Sequence, residues 1–98
     1  MALKVVWSPL AQQKRKDILN YWTEQNQSNT YSIKLNTLFK EAINLVSIYP
    51  NIGRKSDINN VRIKIVRDYL IFYSNDDKNI YVLTIWDNRQ DPEKIALI

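Results

Sequence analysis

The stretch VRIKIVRDYLIFYSNDDKNIYVLTIWDNRQD, residues 61–91, decides the fold of this chain. It holds three apolar runs parted by short polar breaks. Val61–Val66 is β-branched with Arg62 and Lys64 interleaved. Tyr69–Tyr73 is aromatic and aliphatic throughout, and Ile80–Trp86 is apolar except for Thr84. Such residues fit a pleated, partly buried surface, so each run reads as a strand. Asn75-Asp76-Asp77-Lys78-Asn79 is turn chemistry, because short polar side chains bond their own backbone. The reading is an antiparallel three-stranded meander. The first run alternates, which gives it one dry face and one wet, positive face. The other two do not alternate, as expected of central strands covered on both sides.

Working outward, Ala2–Trp7 reads as a further strand. Ser8-Pro9 opens a helix: the hydroxyl can cap orphan N–H groups, and proline at the first helical position loses nothing. Leu10, Ala11, Ile18, Tyr21 and Trp22 form its apolar stripe, with Lys14 at the edge of the contact. Residues 25–29 break the pattern. A second helix is expected from Thr30 to about Ile48, capped by Thr30 or a neighbouring Ser or Asn. Its stripe is Tyr31, Leu35, Leu38, Phe39, Ala42, Val46 and Tyr49. The short break implies a helical hairpin. Pro50 ends the second helix. Gly53, the single glycine, is expected in a backbone conformation closed to other residues. Asp57–Asn60 reads as a loop, Pro92 ends strand pairing, and Glu93–Ile98 as a tail of about one helical turn.

The order β-α-α-β-β-β predicts one α+β domain over residues 1–98: a two-helix antiparallel hairpin on a mostly antiparallel four-stranded sheet. The core is expected to unite Leu10, Ile18, Trp22, Leu35, Leu38, Phe39, Val46, Ile63, Ile65, Ile71, Leu83 and Ile85 between the two layers. Ninety-eight residues suffice for a core without disulfide or metal. No apolar run reaches the ~18–20 residues that span a bilayer, so no membrane association is expected. No signal peptide is expected either.

Composition narrows the chemistry. The chain has no cysteine and no histidine. The first absence suits a cytosolic protein and excludes thiol nucleophiles and Cys-based zinc sites. The second removes the commonest general base near neutral pH. No Gly-rich phosphate loop, catalytic triad or metal cluster is legible, and no cofactor is expected. The net charge of +4 is concentrated. Residues 54–67 carry five cations against Asp57, and the other 84 residues carry nine of each sign. Such a patch attracts polyanions or an acidic protein segment; its bland reading is a solvated strand face. What remains for a site is a surface of Arg54, Arg62, Lys64, Arg67, Tyr73 and Arg89, with Tyr69 nearby. Arginine suits phosphate because its planar fork donates parallel bonds and stays charged. For both tyrosines, packing with the hydroxyl at the rim is the simpler role.

Several ordered motifs resemble the RelE/ParE superfamily of toxins. They are Ala11, Ile18 and Tyr21 in the first helix, Pro50-Asn51-Ile52-Gly53-Arg54 after the second, Val61-Arg62, Tyr69-Leu70-Ile71-Phe72-Tyr73, and Ile85 with Arg89-Gln90-Asp91-Pro92. The resemblance implies the toxin of a bacterial type II toxin–antitoxin pair, neutralised by a cognate antitoxin protein and meeting operator DNA only through it. RelE-like members cut mRNA on the ribosome without metal, using basic residues and often a His or Tyr near the C-terminal end. ParE-like members inhibit DNA gyrase. This sequence has Trp86-Asp87-Asn88 where many nucleases carry His, and no tyrosine follows Tyr81. A ParE-like gyrase inhibitor is therefore the leading expectation. The alternatives are an mRNA endonuclease, for which Arg54, Arg62, Lys64, Arg67, Tyr73 and Arg89 would be the catalytic set, and a non-toxic remnant that only binds antitoxin.

Overall fold

The computed structural model describes residues 2–90; the expected stop at Pro92 and tail over Glu93–Ile98 lie outside them. The elements are β1 (Lys4–Trp7), α1 (Pro9–Asn26), α2 (Thr30–Ile48), β2 (Arg54–Lys55), β3 (Arg62–Val66), β4 (Tyr69–Asn75) and β5 (Asn79–Asp87). They build two helices on one sheet of order β1-β5-β4-β3-β2. β1 runs parallel to β5 and every other pairing is antiparallel. The sheet thus has five strands rather than four. β2 is two residues long, too short for its sequence to show the alternation by which strands are recognised. No helix among the described residues is long and apolar enough to cross a membrane.

Local chemistry accounts for the element ends. Ser8 caps α1, its hydroxyl oxygen accepting from the Ala11 N–H at 3.0 Å. The same hydroxyl donates to the Leu83 carbonyl at 2.8 Å, which ties the helix start to the irregularity where the β4–β5 register shifts. Gln27 ends α1 in the left-handed conformation. α2 begins after Asn29 with no side-chain cap on its first turn. In the β4–β5 turn, the Asp76 carboxylate accepts from the Lys78 and Asn79 N–H groups and from the Tyr81 hydroxyl. These bonds, the Lys78 amide foremost, hold its carboxyl below the usual range.

The core between the layers is built on Leu35, Phe39, Val46, Ile71, Tyr73, Ile80, Val82 and Ile85, with Ile18, Trp22 and Leu38 packed at its margin. Four expected members, Leu10, Ile63, Ile65 and Leu83, are elsewhere. Ile63 belongs to a second cluster with Val61, Leu70, Phe72 and Trp86, and Leu83 packs against that one. Ile65 is 53% exposed. Register explains the difference. Arg62, Lys64 and Val66 stand opposite Tyr73, Ile71 and Tyr69, and directly opposed residues share a face. The helix-facing side of β3 is therefore the charged one, and its apolar side faces away from the helices. Leu10 is half-buried and outside both clusters. Two members of the expected helical stripes, Tyr21 and Tyr49, are exposed.

Candidate functional site

The basic residues gather at the two ends of β3. Arg54 and Lys55 form β2 and pair with Ile63 and Arg62 at the start of β3. Arg67 occupies the two-residue turn at its other end, in the left-handed conformation at φ 56°. Five residues at about 3.3 Å each separate Arg62 from Arg67 by some 16 Å. Lys64 lies midway and half-buried.

At the near end, Arg62 and Tyr73 hold the segment between α2 and β2. The Tyr73 hydroxyl donates to the Pro50 carbonyl at 2.8 Å and accepts from the Gly53 N–H at 2.9 Å. The Arg62 guanidinium donates to the Gly53 carbonyl at 2.8 Å and to the Asn51 carbonyl at 3.4 Å. Two side chains on the helix-facing side of the sheet thus take up three carbonyls and one N–H of a four-residue segment. They thereby fix where Arg54 and Lys55 stand. Tyr73 has no exposed surface. Burial raises its pKa, against the lowering influence of the Gly53 N–H and the Arg62 charge.

Gly53 belongs to this arrangement through space and not through torsion. Its φ is not positive, contrary to the expectation. A Cβ built there would lie 2.6 Å from the Tyr73 hydroxyl oxygen and 2.8 Å from the Ile63 carbonyl oxygen. Glycine is required because the tyrosine and the neighbouring strand approach its α-carbon too closely for any side chain.

The far end carries a cleft of about 410 Å³ whose lining includes Lys14, Tyr21, Tyr69, Trp86, Asp87 and Arg89. Arg89 grips Asp87 with two bonds, Nε to Oδ1 at 2.9 Å and Nη2 to Oδ2 at 2.8 Å. The bonds from Arg89 hold the Asp87 carboxyl below its ordinary range, and the carboxylate in turn raises the guanidinium. Tyr69 accepts from the Trp22 indole N–H at 2.7 Å, and burial raises its phenol. Each of the three tryptophans has a cation over its ring: Arg15 on Trp7, Lys14 on Trp86 and Arg89 on Trp22.

The structure therefore joins Arg54, Arg62 and Tyr73 at one end and leaves Arg67 and Arg89 at the other. The backbone-holding role of Arg62 and Tyr73 was hidden in the sequence, because their acceptors are main-chain groups 9–23 residues away. The one sequence signal for it is the co-occurrence of a lone glycine with a tyrosine in a core strand. Among the described residues, no group of acidic, His or Cys side chains could hold a metal ion.

Comparison with known proteins follows the same lines. No curated protein matches the sequence at a significant level. A solved structure titled "Chromosomal ParDE TA system from P. aeruginosa" contains a chain of similar fold. Its TM-score is 0.74 at 16% sequence identity, over 86% of this chain and 94% of that one. The model of one family, described as the ParE toxin of the type II toxin–antitoxin system parDE, matches residues 5–92. With nearly its whole length matched and the helical hairpin and sheet in place, the chain belongs to the ParE toxin family of type II toxin–antitoxin systems.

Proposed function

We propose that this toxin acts by binding DNA gyrase and inhibiting it through protein–protein contact, in the bacterial cytoplasm, and that a protein antitoxin neutralises it. The observation that carries this reading is the commitment of Tyr73. Cleaving RNA without metal needs a group to take the 2′-hydroxyl proton and groups to stabilise the phosphorane. Arginines serve the second purpose. For the first, this histidine-free chain offers a tyrosine, Lys64 or a carboxylate. The Tyr73 hydroxyl is buried, bonded on both sides to the backbone and raised in pKa. Tyr69 is buried too, its oxygen accepting from the Trp22 indole N–H and its pKa raised by burial. The Tyr73 phenol is thus enclosed by backbone and closed to a substrate, and Tyr69 borders the far cleft with almost no exposed surface; this supports a toxin that binds over one that cuts.

The basic residues then serve recognition. Arg54, Lys55 and Arg67 are exposed and would steer the toxin toward an acidic surface of its target or of the antitoxin. The test is inhibition of supercoiling by purified gyrase, run beside cleavage of mRNA on programmed ribosomes. Inhibition with intact mRNA supports the reading. Site-specific cleavage of the mRNA overturns it in favour of a nuclease. Silence in both assays, with the antitoxin still bound, identifies a non-toxic binding remnant.

A further inference from the structure

We infer that Arg67, at the tip of the β3–β4 hairpin, is a residue by which this toxin grips a carboxylate on its target, and that the fold gives up stability to present it; the inference rests on the gyrase reading above and names a contact within it. Among the described residues, three other than glycine have a positive φ: Gln27 at 50°, Asn60 at 64° and Arg67 at 56°. Two have an ordinary reason. Gln27 closes α1, where the left-handed conformation lets its N–H and that of Ser28 bond the carbonyls of Glu24 and Thr23. Asn60 is of a residue type that tolerates this region. Arg67 has neither reason. Val66 pairs with Tyr69, so Arg67 and Asp68 are the two central residues of the hairpin turn. Of the two, Arg67 alone has a positive φ. Glycine is favoured at the first central position of such a turn, because a Cβ there crowds the backbone.

The side chain returns nothing to the fold. Arg15 lies over the Trp7 ring, Arg62 holds the carbonyls of Asn51 and Gly53, and Arg89 grips Asp87. Among the described residues Arg54 and Arg67 have no such partner, and of the two only Arg67 has a strained backbone. Yet the turn is firmly set. Val66 and Tyr69 on either side of it are buried. The Asn88 N–H bonds the Asp68 carbonyl at 2.8 Å, which ties the tip to the residue after β5. Arg67 is exposed, so its guanidinium stands on a fixed base. Presenting a group from a fixed base lowers the ordering cost of binding. Strain that the rest of the fold sustains is characteristic of residues kept for function.

Charge chooses the partner. Asp68 follows Arg67 in the turn and is exposed. The Asp87–Arg89 pair stands beside it, since Asp87 pairs with Tyr69 across the sheet. The tip is therefore of mixed sign. A nucleic-acid backbone offers phosphates only and would meet Asp68 with repulsion. A folded protein surface can set a carboxylate against Arg67 and a cation against Asp68, an arrangement that fixes register. The planar fork of arginine takes such a carboxylate with two parallel bonds. The cations at the other end of β3 steer the approach, while Arg67 slows departure.

The experiment uses the full-length chain and purified gyrase. Binding rates are measured by surface binding kinetics with and without DNA, beside thermal melts of the toxin. The variants are Arg67→Gly, Arg67→Asn and Arg67→Lys. Lys16→Gln, which removes an exposed cation of α1, is the control for net charge. Gly and Asn accept the left-handed backbone, so both variants are expected to melt at or above the wild-type Tm. The same two are expected to bind gyrase about tenfold or more weakly, through faster dissociation, and to need correspondingly more toxin to inhibit supercoiling. Lys keeps the charge without the fork, and its variant is expected to bind between these and wild type. The control is expected to bind as wild type. A fall of several degrees in Tm for both Arg67→Gly and Arg67→Asn would make Arg67 a structural residue and overturn the assignment. So would wild-type binding in both, or an equal loss in the control, while the gyrase reading stands. A loss seen only with DNA present assigns the guanidinium to a phosphate and overturns the carboxylate contact as well. Absence of gyrase binding by the unaltered, folded chain removes the gyrase reading and this contact together.

Discussion

Replacing Tyr73 by Phe removes a single oxygen and asks whether this residue holds the backbone or serves chemistry. In the native fold that oxygen satisfies the Gly53 N–H at 2.9 Å and the Pro50 carbonyl at 2.8 Å, inside a side chain with no exposed surface. Phe fills the same space, so no cavity opens. The Gly53 N–H, on a buried residue, is stranded; a buried donor without a partner costs about 1–3 kcal/mol. The bond to the partly exposed Pro50 carbonyl is also lost. It is worth about 0.5–1.5 kcal/mol, since water can replace it in part. Together these predict a loss of about 2–4 kcal/mol. In a domain of this size each kcal/mol lowers Tm by roughly 4–8 °C, so a fall of roughly 8–30 °C is expected. Urea and thermal denaturation measure it, and amide exchange at Gly53 should accelerate in parallel. A variant with wild-type stability and no toxicity would refute the backbone-holding role and return Tyr73 to the list of reacting groups.

Three further outcomes follow from the same geometry. Gly53→Ala places a methyl group 2.6 Å from the Tyr73 hydroxyl oxygen and 2.8 Å from the Ile63 carbonyl. The carbonyl is backbone and cannot swing aside, so urea titration should show a loss of about 1–3 kcal/mol, as for an overpacked site. Thr84 is fully buried, and its hydroxyl has no partner among the described residues; Thr84→Val should therefore leave Tm unchanged or raise it. Asp87 is held below the ordinary carboxylate range by Arg89, so their pairing stabilises the fold above the unfolded carboxylate pKa of about 4 and is lost as pH falls through the lower folded value. Asp87→Asn should cost little stability at pH 7, because Arg89 is half exposed and solvent screens the pair. Its stability should meet that of the wild type well below pH 4.

Much of the architecture was legible because it is local. The helix over Thr30–Ile48, the Ser8 cap with Pro9 in the first turn, and the Asp76 turn each follow from residues within a few positions of one another. What escaped is set by distant pairing. Alternation in β3 separates Ile63 and Ile65 from Arg62 and Lys64, but only the partner strand says which set faces the helices. The register puts the charged set there. β2 exists because Arg54 and Lys55 find Ile63 and Arg62, not because two basic residues favour a strand. At the site, the cations were visible in the sequence. Their division between two ends was not, because it depends on where the turn at Arg67 and the pairing at Arg62 fall along one strand. The same holds for Tyr73. Its aromatic ring announces a core position, while its hydroxyl chemistry is decided by Pro50 and Gly53, 23 and 20 residues away.

The most direct measurement is a paired assay of the purified chain, released from its antitoxin and refolded. It is titrated into a gyrase supercoiling reaction and, in parallel, into ribosomes programmed with mRNA. Dose-dependent loss of supercoiling that antitoxin reverses, with the mRNA uncut, is the result expected of a toxin whose buried phenols hold its fold and whose cations recognise a protein surface. Cleavage of the mRNA at defined positions with gyrase untouched would contradict it.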